Sequence, residues 1–346
     1  MTMPTFDSPL PALGGSSILI TGGTGSFGRA FVSRLLAGAT LPKRVIIFSR
    51  DEQKQEALAH EWIGDREKFE RLRFFIGDVR DAERLELAMR GVDYVVHAAA
   101  LKIVPIAEYN PFECILTNVH GAENVVKAAL RNDVKKVVAL STDKAANPAN
   151  LYGASKLASD KIIVAANNLS GDKGSAFSVV RYGNVIGSRG SVIPLFQSLV
   201  AKGAKELPIT DARMTRFLIT LDQGVAFVLS SLAMMRGGEI FVPKIPSMKI
   251  VDVAQAVAPE LPHKNVGIRP GEKLHEVMIT EDDARMTLEL ADRYVICPPK
   301  ANFSAAPLLA AGATPVAEGF RYSSETNEEW LSIGQLGDTL RARPVK

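Results

Sequence analysis

The stretch Ser17-Ile18-Leu19-Ile20-Thr21-Gly22-Gly23-Thr24-Gly25-Ser26-Phe27-Gly28 runs from an apolar pentad straight into glycines at every third position. The pentad has buried-strand character, and residues 26–37 have helical length and period, so the glycines occupy a strand-to-helix turn. Glycine permits a tight turn and lets the backbone approach a pyrophosphate, whose charge then meets the N-terminus of the following helix. Gly22, Thr24, Gly25, Ser26, Phe27 and Gly28 are therefore expected to line a dinucleotide site.

Working outward, short apolar runs recur at 44–48, 73–76, Tyr94–His97, 137–140 and 177–181. Segments of helical period lie between them at 52–63, 83–89, 111–131 and 152–169. Strict alternation of strand and helix predicts a parallel sheet covered on both faces. After Arg181 the rhythm changes. Helices are expected at 192–202 and 222–235 and strands at 206–209 and 239–242, broken repeatedly by prolines such as Pro208, Pro246 and Pro270. The expected fold class is α/β: a Rossmann-type doubly wound parallel sheet with a smaller C-terminal α+β substrate lobe. The dinucleotide domain is expected over 16–183, with later segments returning to it, and the lobe over 184–346.

The chain has 346 residues, 47% of them hydrophobic, enough for a large core. A formal charge of +3 with scattered basic residues argues against a nucleic-acid partner. No apolar run approaches the ~20 residues of a membrane span, and the start lacks a signal-peptide pattern. A soluble, cytoplasmic protein is expected. Cys114 and Cys297 stand apart without metal-ligand spacing, and no metal site is expected.

The second strand ends in Phe48-Ser49-Arg50-Asp51. An acid at this tip usually holds the ribose hydroxyls of NAD, whereas Ser49 and Arg50 suit a 2′-phosphate, so NADP is the expected cofactor. Asp51 either caps the next helix or holds a ribose diol; Lys54 belongs to the same edge. Asp78 and Val79 are placed to border the adenine, Ala98 opens a small-residue run beside the cofactor, and Lys102 could meet a phosphate.

Tyr152 and Lys156, four apart on a helix, share one face. A phenol with a pKa of about 10 is a poor base at neutral pH, and an ammonium beside it stabilises the phenolate. Such a tyrosine can take the proton of a sugar hydroxyl whose carbon yields a hydride to a nicotinamide.

The glycine pattern, the Ala98-Ala99-Ala100 run and Tyr152-x-x-x-Lys156 together resemble the extended short-chain dehydrogenase/reductase superfamily. Ser141-Thr142-Asp143-Lys144-Ala145-Ala146-Asn147-Pro148, Arg181-Tyr182-Gly183-Asn184-Val185, Gly187-Ser188-Arg189-Gly190-Ser191-Val192 and Ile268-Arg269-Pro270-Gly271-Glu272-Lys273-Leu274-His275-Glu276 resemble, more closely, the inverting UDP-N-acetylglucosamine 4,6-dehydratases. This resemblance spans about residues 16–335. It implies UDP-N-acetylglucosamine as substrate, a homo-oligomer (dimer or hexamer), and a place in pseudaminic acid synthesis for surface or flagellin glycosylation.

A dehydratase of this kind oxidises C4, which acidifies the C5 proton, expels the C6 hydroxyl as water and returns the hydride to C6. The resemblance implies Tyr152 as the base at C4 with Lys156 tuning it, Lys144 as the C5 base, Asp143 as the acid, and Thr142 orienting the 4-hydroxyl. As a base Lys144 would need a lowered pKa, expected from burial near Lys156 and a cationic nicotinamide. On the substrate side, Lys102, Asn184 and Val192 are candidates. Arg189 and Arg269 are candidate diphosphate clamps, because a guanidinium fork matches phosphate oxygens in pairs. Thr210 and Glu272 are candidates for uracil or ribose. Two other readings use the same scaffold: a sugar-nucleotide C4 epimerase, with no task for Asp143 and Lys144, and a non-catalytic NADP sensor, in which Tyr152 and Lys156 would be idle.

Overall fold

The structure is a computed structural model that describes residues 4–171, 174–299 and 303–342. Within the two expected regions, 172–173, 300–302 and 343–346 lie outside the described residues. The strands are β1 (Ser17–Thr21), β2 (Arg44–Ser49), β3 (Leu72–Ile76), β4 (Tyr94–His97), β5 (Lys136–Thr142), β6 (Ala176–Tyr182), β7 (Asn184–Val185), β8 (Leu207–Ile209) and β9 (Thr215–Ile219). They continue with β10 (Ile240–Pro243), β11 (Ser247–Lys249), β12 (His263–Asn265), β13 (Val277–Ile279), β14 (Thr287–Glu289), β15 (Arg293–Ile296), β16 (Thr314–Pro315) and β17 (Tyr322–Ser323).

Ten of these form one sheet in the order β16-β14-β15-β10-β6-β5-β4-β1-β2-β3. From β3 to β10 every neighbouring pair is parallel; β15, β14 and β16 then add antiparallel. This is a Rossmann-type α/β sheet, and its order reverses at β1, between β2 and β4, where the crevice beyond the strand ends accepts ligands. The central strands are continuous apolar runs because both faces are covered: all five residues of β1 are buried. Phe31, Val32, Leu35 and Leu36 of the helix Ser26–Leu36 pack into the same core.

The smaller β/α region holds two short sheets, β11-β9-β7 and β12-β8, and the helices Val192–Ala201 and Ile250–Val257. It has its own apolar cluster around Ile193, Phe196, Leu218, Met248 and Val253. The strand expected at 239–242 is β10 and sits in the main sheet, as do β14 and β15, which the sequence pattern did not signal.

The helix expected over 111–131 is three pieces. Pro111–Ile115 leads into a π-helical turn, Leu116–His120, before Gly121–Arg131 resumes α geometry. The widened turn lets Asn118 bridge elements: its Oδ1 accepts from Leu101 N–H (2.8 Å) while its Nδ2 donates to Leu101 O (2.9 Å) and Ser155 Oγ (2.9 Å). The helix Val104–Tyr109, absent from the expected elements, precedes it. No helix among the described residues is long and apolar enough to cross a membrane.

Candidate active site

A cavity of about 1150 Å³ lies beyond the strand ends, between the sheet and the smaller region, and every expected site residue lines it. Its floor is the turn after β1. Gly22 has φ +66°, and a Cβ there would stand 3.0 Å from the Ala99 backbone. A Cβ on Gly28 would come 2.3 Å from Gly23 O, so only glycine lets the helix start this close to the turn. The helix Ser26–Leu36 carries no side-chain cap at Gly25. Its first N–H groups are thereby open to an anion, and the turn fits a pyrophosphate. Thr21 Oγ1 pins the neighbouring strand end by hydrogen bonding to His97 Nδ1 (2.8 Å) and accepting from Ala98 N–H (3.1 Å). Burial, with a smaller push from Lys156, drives the His97 imidazole down to about 3, so it is neutral and structural.

At the adenosine edge, the residues expected to read a 2′-phosphate are engaged elsewhere. Ser49 is buried and accepts a hydrogen bond from Gln55 Nε2 (3.1 Å). Arg50 Nη1 reaches Asp78 Oδ2 (3.5 Å), which Arg80 also holds (2.7 Å). Asp51 caps the helix Glu52–His60, accepting from Lys54 N–H (3.0 Å) and pairing with the Lys54 ammonium. Val79 is buried against the same wall.

The reacting centre forms where β5 ends. Thr142, Asp143 and Lys144 turn away from the strand, and the helix Leu151–Ala165 brings Tyr152 and Lys156 alongside, both buried. Thr142 Oγ1 donates to Asp143 Oδ1 (2.9 Å). Lys144 Nζ lies between two carboxylates, 3.0 Å from Asp143 Oδ1 and 3.1 Å from Glu276 Oε1. Burial alone would lower the Lys144 pKa, but Asp143 and Glu276 outweigh it and hold the ammonium above the ordinary lysine range. The protein's own groups thus favour the Lys144 ammonium, opposite in direction to the fall expected from burial near Lys156 and a cationic nicotinamide. Burial pushes the Tyr152 phenol up to about 12, opposed by Lys144 and by hydrogen bonding to Thr142. Lys144 is the leading cation acting on the phenol among the protein's own groups. Lys156 is lowered by burial and partly offset by Asp160, four residues along the same helix.

On the far wall, Asn184 lies in β7 and Val192 begins the helix Val192–Ala201. Arg189 Nη2 donates to Thr24 O (3.0 Å), tying that wall to the glycine turn. Burial and Arg189 lower the pKa of Lys102. Thr210 Oγ1 contacts Met214 Sδ (3.2 Å), and Arg269 pairs loosely with Glu272 (4.0 Å). Glu276 and Arg216 are cavity residues that the sequence reading did not single out. The only sequence signal was the position of Glu276 at the end of the 268–276 motif. Among the described residues, no group of three or more His, Cys, Asp or Glu could hold a metal.

The chain belongs to the polysaccharide biosynthesis protein family, whose model matches residues 18–298. More particularly, it is 56% identical over 332 residues to the inverting UDP-N-acetylglucosamine 4,6-dehydratase of Campylobacter jejuni subsp. jejuni serotype O:23/36, covering 94% of this chain and 97% of that protein. It is 42% identical over 330 residues to the UDP-glucose 4-epimerase of Rickettsia canadensis, covering 94% of this chain and 95% of the relative. The X-ray structure of Pen from Bacillus thuringiensis superposes with a TM-score of 0.87 at 36% identity, covering 97% of this chain and all of that one.

The NADP expectation needs correction. DesIV, a dTDP-glucose 4,6-dehydratase from Streptomyces venezuelae, was solved with NAD bound. It is 27% identical, with a TM-score of 0.67 over 75% of this chain and 86% of its own. Read with the engaged side chains of Ser49 and Arg50, this removes the basis for a 2′-phosphate pocket and leaves a nicotinamide cofactor.

Proposed function

We propose that this chain is a UDP-N-acetylglucosamine 4,6-dehydratase (a hydro-lyase) that inverts C5 and yields UDP-2-acetamido-2,6-dideoxy-β-L-arabino-hex-4-ulose. The observation that carries it is the placing of the Tyr152 phenol beside an Asp143–Lys144 ion pair on one cavity wall. When bound, a nicotinamide dinucleotide accepts a hydride from C4 and returns it to C6. Gly22, Thr24, Gly25, Ser26, Phe27, Gly28, Ser49, Arg50, Asp51, Lys54, Asp78, Val79, Ala98 and Lys102, with Tyr152 and Lys156, form its cradle. Lys102, Asn184, Arg189, Val192, Thr210, Arg269 and Glu272 hold the sugar nucleotide. In domain terms, 16–183 binds mainly the dinucleotide and 184–346 mainly the sugar nucleotide.

Tyr152 takes the C4 hydroxyl proton, with Thr142 orienting that hydroxyl and Lys156 supplying positive charge from the same helix face. The next step needs one group to give a proton and another to take one. The Lys144 ammonium has a proton to give, to the leaving C6 hydroxyl, and the Asp143 carboxylate is the group to receive the C5 proton. These roles are the reverse of those that the sequence resemblance implied. The epimerase reading, raised by the Rickettsia relative, would need Tyr152 and Lys156 but gives the ion pair nothing to do.

The protein works in the cytoplasm as a homo-oligomer and feeds pseudaminic acid synthesis. Incubation with UDP-N-acetylglucosamine followed by NMR tests the function. A 6-deoxy-4-keto sugar with inverted C5 supports it, and a galacto product or unchanged substrate refutes it.

A further inference from the structure

Glu276 precedes β13 and comes from a part of the chain remote from β5, yet its carboxylate reaches the same Lys144 ammonium as Asp143. Its backbone is strapped in place. The Glu276 N–H donates to Ser324 Oγ (2.9 Å), and Ser324 N–H donates to Glu276 O (2.8 Å). The side chain is only 2% exposed, whereas that of Lys144 is 21% exposed and borders the cavity. Glu276 Oε1 meets Lys144 Nζ at 3.1 Å, while Glu276 Oε2 and Asp143 Oδ2 are buried without hydrogen-bond partners. Such oxygens are costly unless charge faces them.

We propose that Glu276 is a positioning residue for the proton transfers that follow C4 oxidation, holding the Lys144 ammonium at the cavity wall and keeping it charged. The proposal rests on the dehydratase reading above. The groups facing Glu276 and Lys144 are Asp143 and Tyr152, Arg216 from β9 (Nε 3.8 Å from Oε1) and Lys273 (Nζ 3.8 Å from Oε2). Two carboxylates therefore sit among three cations. Neutralising Glu276 leaves Asp143 alone against Lys144, Arg216 and Lys273.

Arg216 cannot give up its proton at ordinary pH. Lys273 donates to Ala146 O (2.7 Å). Neutralising Glu276 loosens the hold on both lysines, Lys273, whose pKa burial already lowers, and Lys144, and of the two it is Lys144 that lines the cavity where the reaction runs. In the elimination a Lys144 N–H proton passes to the C6 oxygen as the C6–O bond breaks and water leaves. The C5–H electron pair becomes the C5–C6 double bond, and the C5 proton goes to Asp143. Lys144 ends neutral and must be charged again before the next cycle, so a lowered pKa would stop it at alkaline pH.

The test uses the full chain with its bound cofactor and UDP-N-acetylglucosamine, comparing wild type with Glu276→Gln and Glu276→Asp over a range of pH. Two signals are followed: single-turnover absorbance of reduced nicotinamide for C4 oxidation, and release of the 6-deoxy-4-keto product. Below its falling limb, where Lys144 is still charged, Glu276→Gln should oxidise C4 within about threefold of wild type. Its product formation should fall at alkaline pH, the falling limb moving down by about one to three pH units. Glu276→Asp, which keeps the charge, should move the limb back toward wild type. Superimposable pH profiles for wild type and Glu276→Gln would overturn the proposal. So would parallel loss of oxidation and elimination, or loss of the fold, in both variants, because either would assign Glu276 a purely structural role. If the wild type makes no keto product, the dehydratase reading falls and this proposal with it.

Discussion

Tyr152 carries its phenol where burial opposes ionisation, and a base that works only as phenolate gains activity as pH rises. With its pKa pushed up to about 12, single-turnover oxidation of C4 should accelerate between about pH 7 and pH 9, by up to about tenfold per pH unit. A flat profile would show that the proton leaves by another route. Tyr152→Phe removes only the hydroxyl, so the fold should persist while oxidation slows by about 10²–10⁴-fold; a variant within a few-fold of wild type would remove Tyr152 from the chemistry. Lys144→Met keeps the apolar stem and removes the charge. It should oxidise C4 more slowly, because Lys144 favours the Tyr152 phenolate, let the C5 proton exchange with deuterated solvent, and stall before water leaves, whereas Lys156→Ala should show none of these signals. Stalling without C5 exchange would return the base role to Lys144. The residues Thr142, Asp143, Lys144, Tyr152 and Lys156 were legible as a set because a strand end and a helix face bring them together locally. The charge state of Lys144 was not, because Glu276 reaches it only through the tertiary fold.

The turn after β1 was the most readable element, since strand, glycines and helix follow one another without interruption. Its tolerance is small. Gly28→Ala places a Cβ where Gly23 O stands 2.3 Å away, so the turn must shift and cofactor affinity should drop by about tenfold or more. Titration of cofactor fluorescence would measure this, and unchanged affinity would mean that the turn does not seat the pyrophosphate. Periodicity also placed the helices on both sides of the sheet, but it could not show the π turn at Leu116–His120. On that turn Asn118 bonds Leu101, in the loop after β4, and Ser155, on the helix Leu151–Ala165. The cofactor edge was misread for a similar reason. Ser49 and Arg50 point to a phosphate when read as types at a strand tip, yet Gln55 and Asp78 engage them in the folded chain.

At the scale of the molecule, the main sheet and the smaller region have separate apolar cores with the cavity between them. The sheet was readable from alternation. The return of β10, β14 and β15 to it was readable only in outline, because short strands after a proline-rich stretch carry little register information. Outside both cores, Tyr109 is 87% and Phe112 82% exposed, with Ile106 and Leu116 nearby in sequence and also exposed. Apolar surface of this kind supports self-association. Sedimentation should find an oligomer, and Tyr109→Glu with Phe112→Glu should shift it toward monomer; an unchanged distribution would place the interface elsewhere. The central claim is that one hydride travels from C4 to C6 across a water elimination. UDP-N-acetylglucosamine deuterated at C4 tests it directly: the label should appear in the C6 methyl group of the 4-keto product, and a label found at C4 of an epimerised sugar would contradict it.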